Sequence, residues 1–341
     1  MKLLAIESSC DDTAAAVLID GVARSSIVAS QDAVHVDYGG VVPELASRSH
    51  MRAIVPTIER ALAEAGIGLD EVDAVAATYG PGLVGSLLVG LCAAKAIAYA
   101  RRLPFLGVNH LEGHLLSVQL DRPVAFPYVA LLVSGGHTSL YLARGLGDYE
   151  LLGATRDDAA GEAFDKVAKL LGLGYPGGRV LDGLAREGNP TAIRFPRARL
   201  KPSAARRRFD FSFSGIKTAV ALHLRAHGAD PAQRADIAAS FQEAAVDMLL
   251  DTALAATAAC QAQRLVIAGG VSANSRLRTR AAAAAAESAL EVVFPSLRYC
   301  TDNAAMIGLA AYHRLRRGER DGMTLNAAAV ADLTAPRDPA P

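Results

Sequence analysis

The sequence lacks an excess of charge of either sign, because its 35 basic residues are balanced by 35 acidic ones. A surface that binds nucleic acid or an anionic membrane over its whole extent carries net positive charge. The balance therefore argues against such a surface, although it leaves room for a local basic patch. Apolar residues make up 51% of the 341 residues. That length and composition predict two folded domains and exclude a disordered protein.

Cysteine is scarce as well. The four cysteines lie far apart and form no CxxC pair: Cys10, Cys92, Cys260 and Cys300. This usage is typical of a reducing compartment and argues against both a disulfide framework and a zinc ribbon. The apolar run before Glu7 is too short for the core of a signal peptide. We therefore expect a cytoplasmic protein.

Charge is absent from residues 74–94, which is long enough to be considered as a membrane span. The stretch is interrupted by Gly80, Pro81 and Gly82. Glycine and proline in this arrangement indicate a turn between two elements. We expect a buried strand, a glycine turn and a buried helix, with no contact with a membrane.

One structural plan occurs twice along the chain. An apolar run, a turn of small and polar residues and a second strand-like run occupy residues 3–19 and again residues 128–143. A strand, a glycine loop and a helix follow from Val72 and again from Leu265. Glycine loops at helix N-termini bind phosphate through backbone N–H groups. The duplication therefore indicates an α/β protein that binds a nucleotide.

The segment Asn109-His110-Leu111-Glu112-Gly113-His114 places two histidines at positions i and i+4. On a helix they share a face and can chelate one metal ion. Glu112 lies on the opposite face, which is poor geometry for the general base of a zinc protease. Asp302 is the candidate third ligand, although it could instead cap the next helix. Two histidines and one carboxylate with open positions suit iron or zinc.

Nine motifs resemble the bacterial branch of the TsaD family of tRNA N6-adenosine threonylcarbamoyltransferases, once described as O-sialoglycoprotein endopeptidases. The resemblance runs from Met1 to about Leu333 and rests on IESSCDDTAAAV, HVDYGGVVPELASRSH, YGPGLVGSLLVG, NHLEGH, LLVSGGHTSL, DDAAGEAFDKVAKLLGLGYPGG, FDFSFSGIKTAV, IAGGVSANSRLR and CTDNAAMIGLAA. It implies an α/β fold of the actin-like and Hsp70-like class, with two ribonuclease-H-like domains around a nucleotide cleft.

The domain boundaries that we expect follow from this fold. The first domain covers residues 1–124 and is completed by a C-terminal helix at about 302–333. The second covers residues 125–301 with an insertion at about 150–230, and residues 334–341 form a disordered tail.

The resemblance also implies a reaction. The threonylcarbamoyl group of threonylcarbamoyl-adenylate, an AMP-like ligand, moves to the N6 amine of the adenosine 3′ of the anticodon in tRNAs that read codons starting with A, and AMP leaves. One divalent metal per subunit, Fe(II) or else Zn, is implied at His110, His114 and Asp302. The implied substrate-binding residues are Leu132, Val133, Ser134, Gly135, Gly136, Asp165, Gly178, Asp182 and Asn274.

Two further roles are hypotheses. Asp11 or Asp12 orients the attacking amine or accepts its proton, unless both serve only the turn. The tRNA phosphates contact one of two arginine-rich segments, residues 194–208 or 314–320, unless these are solvated charge runs. Bacterial members of the family work with an inactive paralogue, TsaB, and a P-loop ATPase, TsaE, so we expect both as partners. An actin-like ATPase or kinase, a metalloprotease and a non-catalytic scaffold remain as alternatives.

Overall fold

The computed structural model describes residues 1–200, 203, 207–228 and 230–335. The chain divides into two compact units. The first combines residues 1–124 with the C-terminal residues from Thr301 onward, and the second runs from Ala125 to Cys300. Each unit contains one five-stranded mixed sheet.

The first unit is built on the sheet order β3-β2-β1-β4-β5, in which β1 pairs antiparallel with β2 and parallel with β4. Its strands are β1 (Lys2–Glu7), β2 (Asp12–Ile19), β3 (Val22–Ser30), β4 (Ala74–Gly80) and β5 (Phe105–Asn109). Its helices, numbered in chain order, are α1 (Asp32–His35), α2 (Pro43–Ala65), α3 (Val84–Arg101), α4 (His110–Leu116) and α10 (Ala304–Arg316).

The second unit repeats this topology as β8-β7-β6-β9-β10. The central strand again pairs antiparallel with the strand that follows it and parallel with a later one. The strands are β6 (Tyr128–Val133), β7 (Thr138–Gly145), β8 (Asp148–Ala154), β9 (Arg264–Ala268) and β10 (Glu291–Val293). The helices are α5 (Ala160–Leu170), α6 (Gly177–Ala185), α7 (Ser214–His227), α8 (Pro231–Ala259) and α9 (Ser275–Ala286). The duplication that the sequence predicts is confirmed.

Each sheet is buried because its strands carry apolar residues on both faces. In β1, residues Leu3 to Ile6 are fully buried, and in β6 so are Tyr128 to Val133. Continuous apolar strands of this kind are typical of sheets that are covered on both sides. The core of the first unit lies between its sheet and helices α2 and α3, and that of the second unit lies under α5, α6 and α8.

Among the described residues, one helix, α3, is long and apolar enough to cross a membrane. The core helix of a soluble protein has the same composition, so length and hydropathy alone are weak evidence. Leu87, Leu91 and Ala94 of α3 are buried within the first unit. The strand, glycine turn and helix expected over residues 74–94 are present as β4, Gly80–Gly82 and α3.

The predicted C-terminal helix at about 302–333 is too long. Helix α10 ends at Arg316, and Gly318 follows with a φ of 87°, a backbone conformation that favours glycine. Beyond it the chain uses its backbone to bind the sheet. Asp321 donates its N–H to the carbonyl of Phe105 (2.9 Å), and Ala328 donates to Tyr79 (2.8 Å). A helix would have used these groups internally.

Two other predicted boundaries are shifted. The insertion at about 150–230 starts too early, since residues 150–154 belong to β8 and pair with β7. The predicted tail 334–341 begins with Thr334, whose N–H and hydroxyl both donate to Asp332 (2.8 and 2.7 Å). Residues 336–341 lie outside the described residues.

Candidate functional site

The two histidines of the NHLEGH segment lie on α4, a short helix that begins where β5 ends. Asn109 caps this helix, because its side-chain oxygen accepts from the N–H of Leu111 at 2.9 Å. His110 and His114 are buried, and their rings meet edge to face with centroids 4.7 Å apart. The helix therefore presents both imidazoles on one face, as the i, i+4 spacing predicts.

Asp302 completes the cluster immediately before α10. Its Oδ1 lies 3.1 Å from Nε2 of His114 and 3.5 Å from Nε2 of His110. One ligand atom from each of the three residues lies within 4.8 Å of the others. Asp302 is not the cap of the following helix. Asn303 has that role, since its side-chain oxygen accepts from the N–H of Met306.

The donor set of this cluster fits a divalent transition metal. Two imidazoles and one carboxylate are the ligands that iron and zinc accept, with positions left for a substrate. Nδ1 of His114 is a buried polar atom with no hydrogen-bond partner among the described residues. The nitrogen of His114 that faces Asp302 is Nε2, so Nε2 is the atom placed to bind a metal ion, and Nδ1 lies on the other side of the ring.

The two histidines differ in their affinity for protons. Burial lowers the pKa of His110, but the carboxylates of Asp302 and Glu7 outweigh this effect and raise it to about 9. Burial lowers the pKa of His114 below its ordinary value. The carboxylates of Asp302 and Glu7 thus favour the imidazolium form of His110, which has to lose its Nε2 proton before that nitrogen can bind a metal ion.

Glu112 is oriented away from the cluster. Both of its carboxylate oxygens accept from the guanidinium of Arg314 on α10, each at 2.8 Å, and its side chain is 1% exposed. A carboxylate held in this bidentate pair is not placed to activate a metal-bound water. This contact speaks against the metalloprotease alternative.

Of the predicted carboxylates, Asp11 lies in the turn after β1 and Asp12 is the first residue of β2, and both are partly buried. Burial raises the pKa of Asp11, and the charge of Asp302 adds to this. Burial together with the charges of Asp302 and Asp11 raises the pKa of Asp12 to about 7. Burial likewise raises the pKa of the neighbouring Cys10 thiol, which stays protonated and is not a nucleophile.

His50 receives a role that the sequence does not reveal. Its Nε2 lies 2.9 Å from the carbonyl oxygen of Cys10, and its Nδ1 lies 2.7 Å from the hydroxyl of Thr13. The carbonyl can only accept, so Nε2 carries the proton and Nδ1 accepts from Thr13. His50 thus fixes both ends of the turn that bears Asp11 and Asp12. Glu44 and Arg48 form only an exposed pair, 3.6 Å apart.

In the second unit, the predicted substrate residues Leu132 and Val133 are buried in β6, and the loop Ser134–Gly136 follows it. The loop forms a tight turn, because Ser134 donates its N–H to the carbonyl of His137 (2.8 Å). That N–H is therefore already used within the turn. Gly135 and Gly136 are exposed, and an added Cβ would meet no atom within 4 Å at either one.

Glycine 161, which the sequence reasoning missed, brings the N-terminus of α5 against this loop. Its N–H donates to the carbonyl of Ser134 at 3.2 Å. A Cβ at position 161 would lie 2.5 Å from that carbonyl oxygen and 2.8 Å from the Cα of Gly135. Only glycine allows this approach. Gly161 lies in the first turn of α5, and the residues next to it in sequence gave no signal of a contact with Ser134.

The remaining predicted substrate residues connect helices α5, α6 and α9, and their contacts reach the N-termini of α6 and α9. Asp165 on α5 accepts from the N–H of Gly178 on α6 at 3.1 Å. Asp182 on α6 accepts from the hydroxyl of Ser275, the first residue of α9, at 2.8 Å, and pairs with Arg186 at 2.9 Å. Asn274 caps α9 and donates its amide to Gln242 at 2.7 Å. Positive helix ends grouped in this way favour an anion.

The first arginine-rich segment is partly paired within the protein, and the second is paired more extensively. In the first, Arg197 pairs with Asp247 (2.8 Å) and Arg199 with Asp251 (3.0 Å). Arg194, Arg207 and Arg208 are exposed, while Lys201 and Arg206 lie outside the described residues. The second segment is mostly engaged by acidic groups or carbonyls, through Arg314, Arg317 and Arg320.

Comparison with known proteins gives a consistent result. Residues 23–309 match the model of the family described as TsaD, tRNA N6-adenosine threonylcarbamoyltransferase. A relative of that name from Anaeromyxobacter dehalogenans is 58% identical over 330 residues, which are 96% of this chain and 98% of the relative. Another of that name from a Geobacter species is 54% identical, over 98% of this chain and 97% of the relative.

The fold is also similar to that of distant solved structures. Full-length HypF in its phosphate- and nucleotide-bound form aligns with a TM-score of 0.65 at 15% identity, over 92% of this chain and 55% of HypF. At that identity the likeness concerns the fold alone, which is the actin-like class that the sequence predicts.

Proposed function

The chain belongs to the TsaD family of tRNA N6-adenosine threonylcarbamoyltransferases, and from this premise we propose how its residues carry out the reaction. The protein is an acyltransferase that modifies tRNA. The donor that we propose is threonylcarbamoyl-adenylate. The N6 amine attacks its carbamoyl carbon, the bond from that carbon to the phosphate oxygen breaks, and AMP leaves. The nucleophile loses one proton in this exchange.

We place the adenylate part of the donor at the loop Ser134–Gly136. The exposed glycines 135 and 136 can offer N–H groups to the phosphate, and the N-termini of α5, α6 and α9 supply positive dipole ends. Asp165 and Asp182 are the groups that we propose for the ribose hydroxyls, because each oxygen of a carboxylate can accept more than one hydrogen bond. Asn274 is proposed as a supporting residue that keeps α9 in place. The observation that carries this proposal is the contact of the N-terminus of α5 with the exposed glycine loop.

We propose that His110, His114 and Asp302 hold one divalent metal, Fe(II) or else Zn. When bound, it supplies a Lewis acid that stabilises negative charge on a substrate oxygen. Other residues of this chain orient the three metal ligands. Asp12 accepts the amine proton, because burial and the neighbouring carboxylates raise its pKa to about 7, where a general base is effective. Asp11 maintains this value through its charge.

We further propose a cytoplasmic protein that shares tRNA binding with partners, TsaB and TsaE. The exposed cations Arg194, Arg207 and Arg208 are the phosphate contacts within this chain. Their number is small and the net charge is zero, so partners are expected to supply part of the tRNA surface.

Reconstitution tests the proposal directly. The purified chain is incubated with synthetic threonylcarbamoyl-adenylate and unmodified tRNA, with and without TsaB and TsaE, and the tRNA is digested and analysed for threonylcarbamoyladenosine. We expect the modified nucleoside with wild type and its loss with His114→Ala. Failure of wild type under every combination would refute the proposed reaction. Unchanged modification with His114→Ala would favour the scaffold alternative.

A further inference from the structure

Glu7 is a fully buried carboxylate that the proposed reaction does not use. It is the last residue of β1, and its relative exposure is 0%. Burying a carboxylate is costly unless several donors compensate for the lost water. Glu7 has them: Oε1 accepts from the N–H of Ser9, and Oε2 accepts from the hydroxyl of Thr78 at 2.6 Å.

The third partner of Glu7 is a predicted metal ligand. Oε2 lies 3.0 Å from Nδ1 of His110, which is also 3.1 Å from the hydroxyl of Ser9. The sheet explains this meeting, since β1, β4 and β5 run parallel and end at the same edge. Glu7 ends β1, Thr78 lies near the end of β4, and His110 follows β5 directly. Residues separated by about 100 positions thus come together at one edge.

We infer that Glu7 is a positioning residue for the metal centre, which fixes His110 as the tautomer with its proton on Nδ1 and its Nε2 directed at Asp302. A carboxylate can only accept, so Nδ1 must donate to it. The other ring nitrogen, Nε2, then carries the lone pair. It faces the Asp302 carboxylate, whose Oδ1 is 3.5 Å away. Carboxylate–histidine–metal arrangements orient ligands and raise their basicity in this way.

The contrast between the two histidines supports the inference. Nδ1 of His110 has a carboxylate and a hydroxyl as partners, whereas Nδ1 of His114 has none among the described residues. Within the cluster, His114 meets His110 edge to face and directs its Nε2 at Asp302. Glu7 therefore orients one ring directly and the other through it. The inference rests on the proposed metal site and adds a residue to it.

Metal affinity measured without substrates tests this role. The affinity of the metal-free protein for Zn(II) and Co(II) is determined by competition with a chromophoric chelator for wild type, Glu7→Gln and Thr78→Val. For Glu7→Gln we expect affinity about 10- to 100-fold lower and altered Co(II) absorption bands. Thr78→Val removes a different hydrogen bond to the same carboxylate but keeps the contact with His110, so its affinity should fall much less.

The tautomer itself gives a second readout that needs no variant. In the Zn(II)-loaded wild type, long-range ¹H–¹⁵N correlation spectra should show a protonated Nδ1 and a metal-bound Nε2 for His110. A metal-bound Nδ1, or equal affinity of wild type and Glu7→Gln, would overturn the inference. If wild type bound no metal at all, the proposed metal site would fail first, so the two failures are distinguishable. The spectra decide the matter even if Glu7→Gln does not fold.

Discussion

The raised pKa of Asp12 predicts how the rate of transfer depends on pH. Only its carboxylate form accepts a proton, and its pKa is raised to about 7, so kcat/KM should rise as pH increases through about 7 and then level off. A bound dication offsets the charge of Asp302 and moves this midpoint lower. Asp12→Asn should lower kcat about 10²- to 10⁴-fold and remove the rise. The measurement is the pH profile of single-turnover transfer.

Asp11 offers the matched control for that profile. Its charge contributes to the raised pKa of Asp12, so Asp11→Asn should shift the midpoint to lower pH while keeping the rise. An unchanged midpoint in Asp12→Asn would mean that another group accepts the proton.

Gly161 carries a prediction about donor binding. In Gly161→Ala the new Cβ would lie 2.5 Å from the carbonyl oxygen of Ser134, so the loop that we assign to the phosphate must move. We expect KM for the donor to rise by about tenfold or more, because small displacements of a binding loop are costly.

Gly183 is the control for this substitution. It is exposed on helix α6, and a Cβ there would meet no atom within 4 Å. Alanine is the better helix former, so Gly183→Ala should be neutral or slightly stabilising and leave KM unchanged. Equal KM values for both variants would contradict the assignment of the loop.

The buried ion pair between Glu112 and Arg314 joins helix α4 to helix α10. Gly113 lets the two helices approach, since a Cβ there would lie 2.9 Å from Ile307. Helix α4 carries both histidines, and α10 begins two residues after Asp302. By holding α4 against α10, the pair helps to set the distance between the two histidines and Asp302. Glu112 and Arg314 are not themselves members of that cluster.

Breaking this pair should destabilise the first unit. Glu112→Ala removes the bidentate partner of a largely buried guanidinium and leaves it paired with Glu319, so we expect a loss of about 3 kcal/mol of unfolding free energy, the lower end for a broken buried pair. Urea unfolding of the metal-free protein measures this cost. Arg317→Ala removes an exposed cation that pairs with Glu319, so it should change stability by less than about 1 kcal/mol. Similar losses for the two variants would show that the buried pair has no special role.

The whole molecule is a neutral protein that acts on tRNA. Many of its arginines are neutralised in place, such as Arg197 and Arg199 by two aspartates one helical turn apart on α8. Net charge alone therefore excluded a uniformly basic surface, and it did not exclude tRNA as a substrate. The exposed cations of this chain can bind one part of the tRNA backbone while partner subunits bind another part.

Salt dependence tests this distribution of charge. We expect weak tRNA binding by the isolated chain, with affinity that falls steeply as salt increases. Replacement of Arg194 or Arg207 by Gln should reduce the slope of log K against log salt by about 1 each if the side chain contacts a phosphate. Arg144→Gln serves as control, because Arg144 is already paired with Glu150. Tight binding that is insensitive to salt would contradict this view.

The sequence by itself determined the duplicated α/β fold, the histidine pair and the glycine loops. Each of these is a local pattern: alternating or continuous apolar runs, an i, i+4 spacing, or glycines between a strand and a helix. Helix boundaries were less well determined. The C-terminal helix predicted at about 302–333 ends at Arg316, because Gly318 takes a left-handed backbone conformation that terminates it.

Only the tertiary structure decided which distant residues support the site. Glu7 meets His110, Gly161 meets Ser134, and Glu112 meets Arg314. Each contact joins different elements, and the last spans about 200 positions of sequence. Local periodicity carries no information about such partners, since they are selected by the order of strands in the sheet and by helix packing. Single motifs therefore identified the candidate site residues, whereas the residues that hold them in position were identified only in the folded chain.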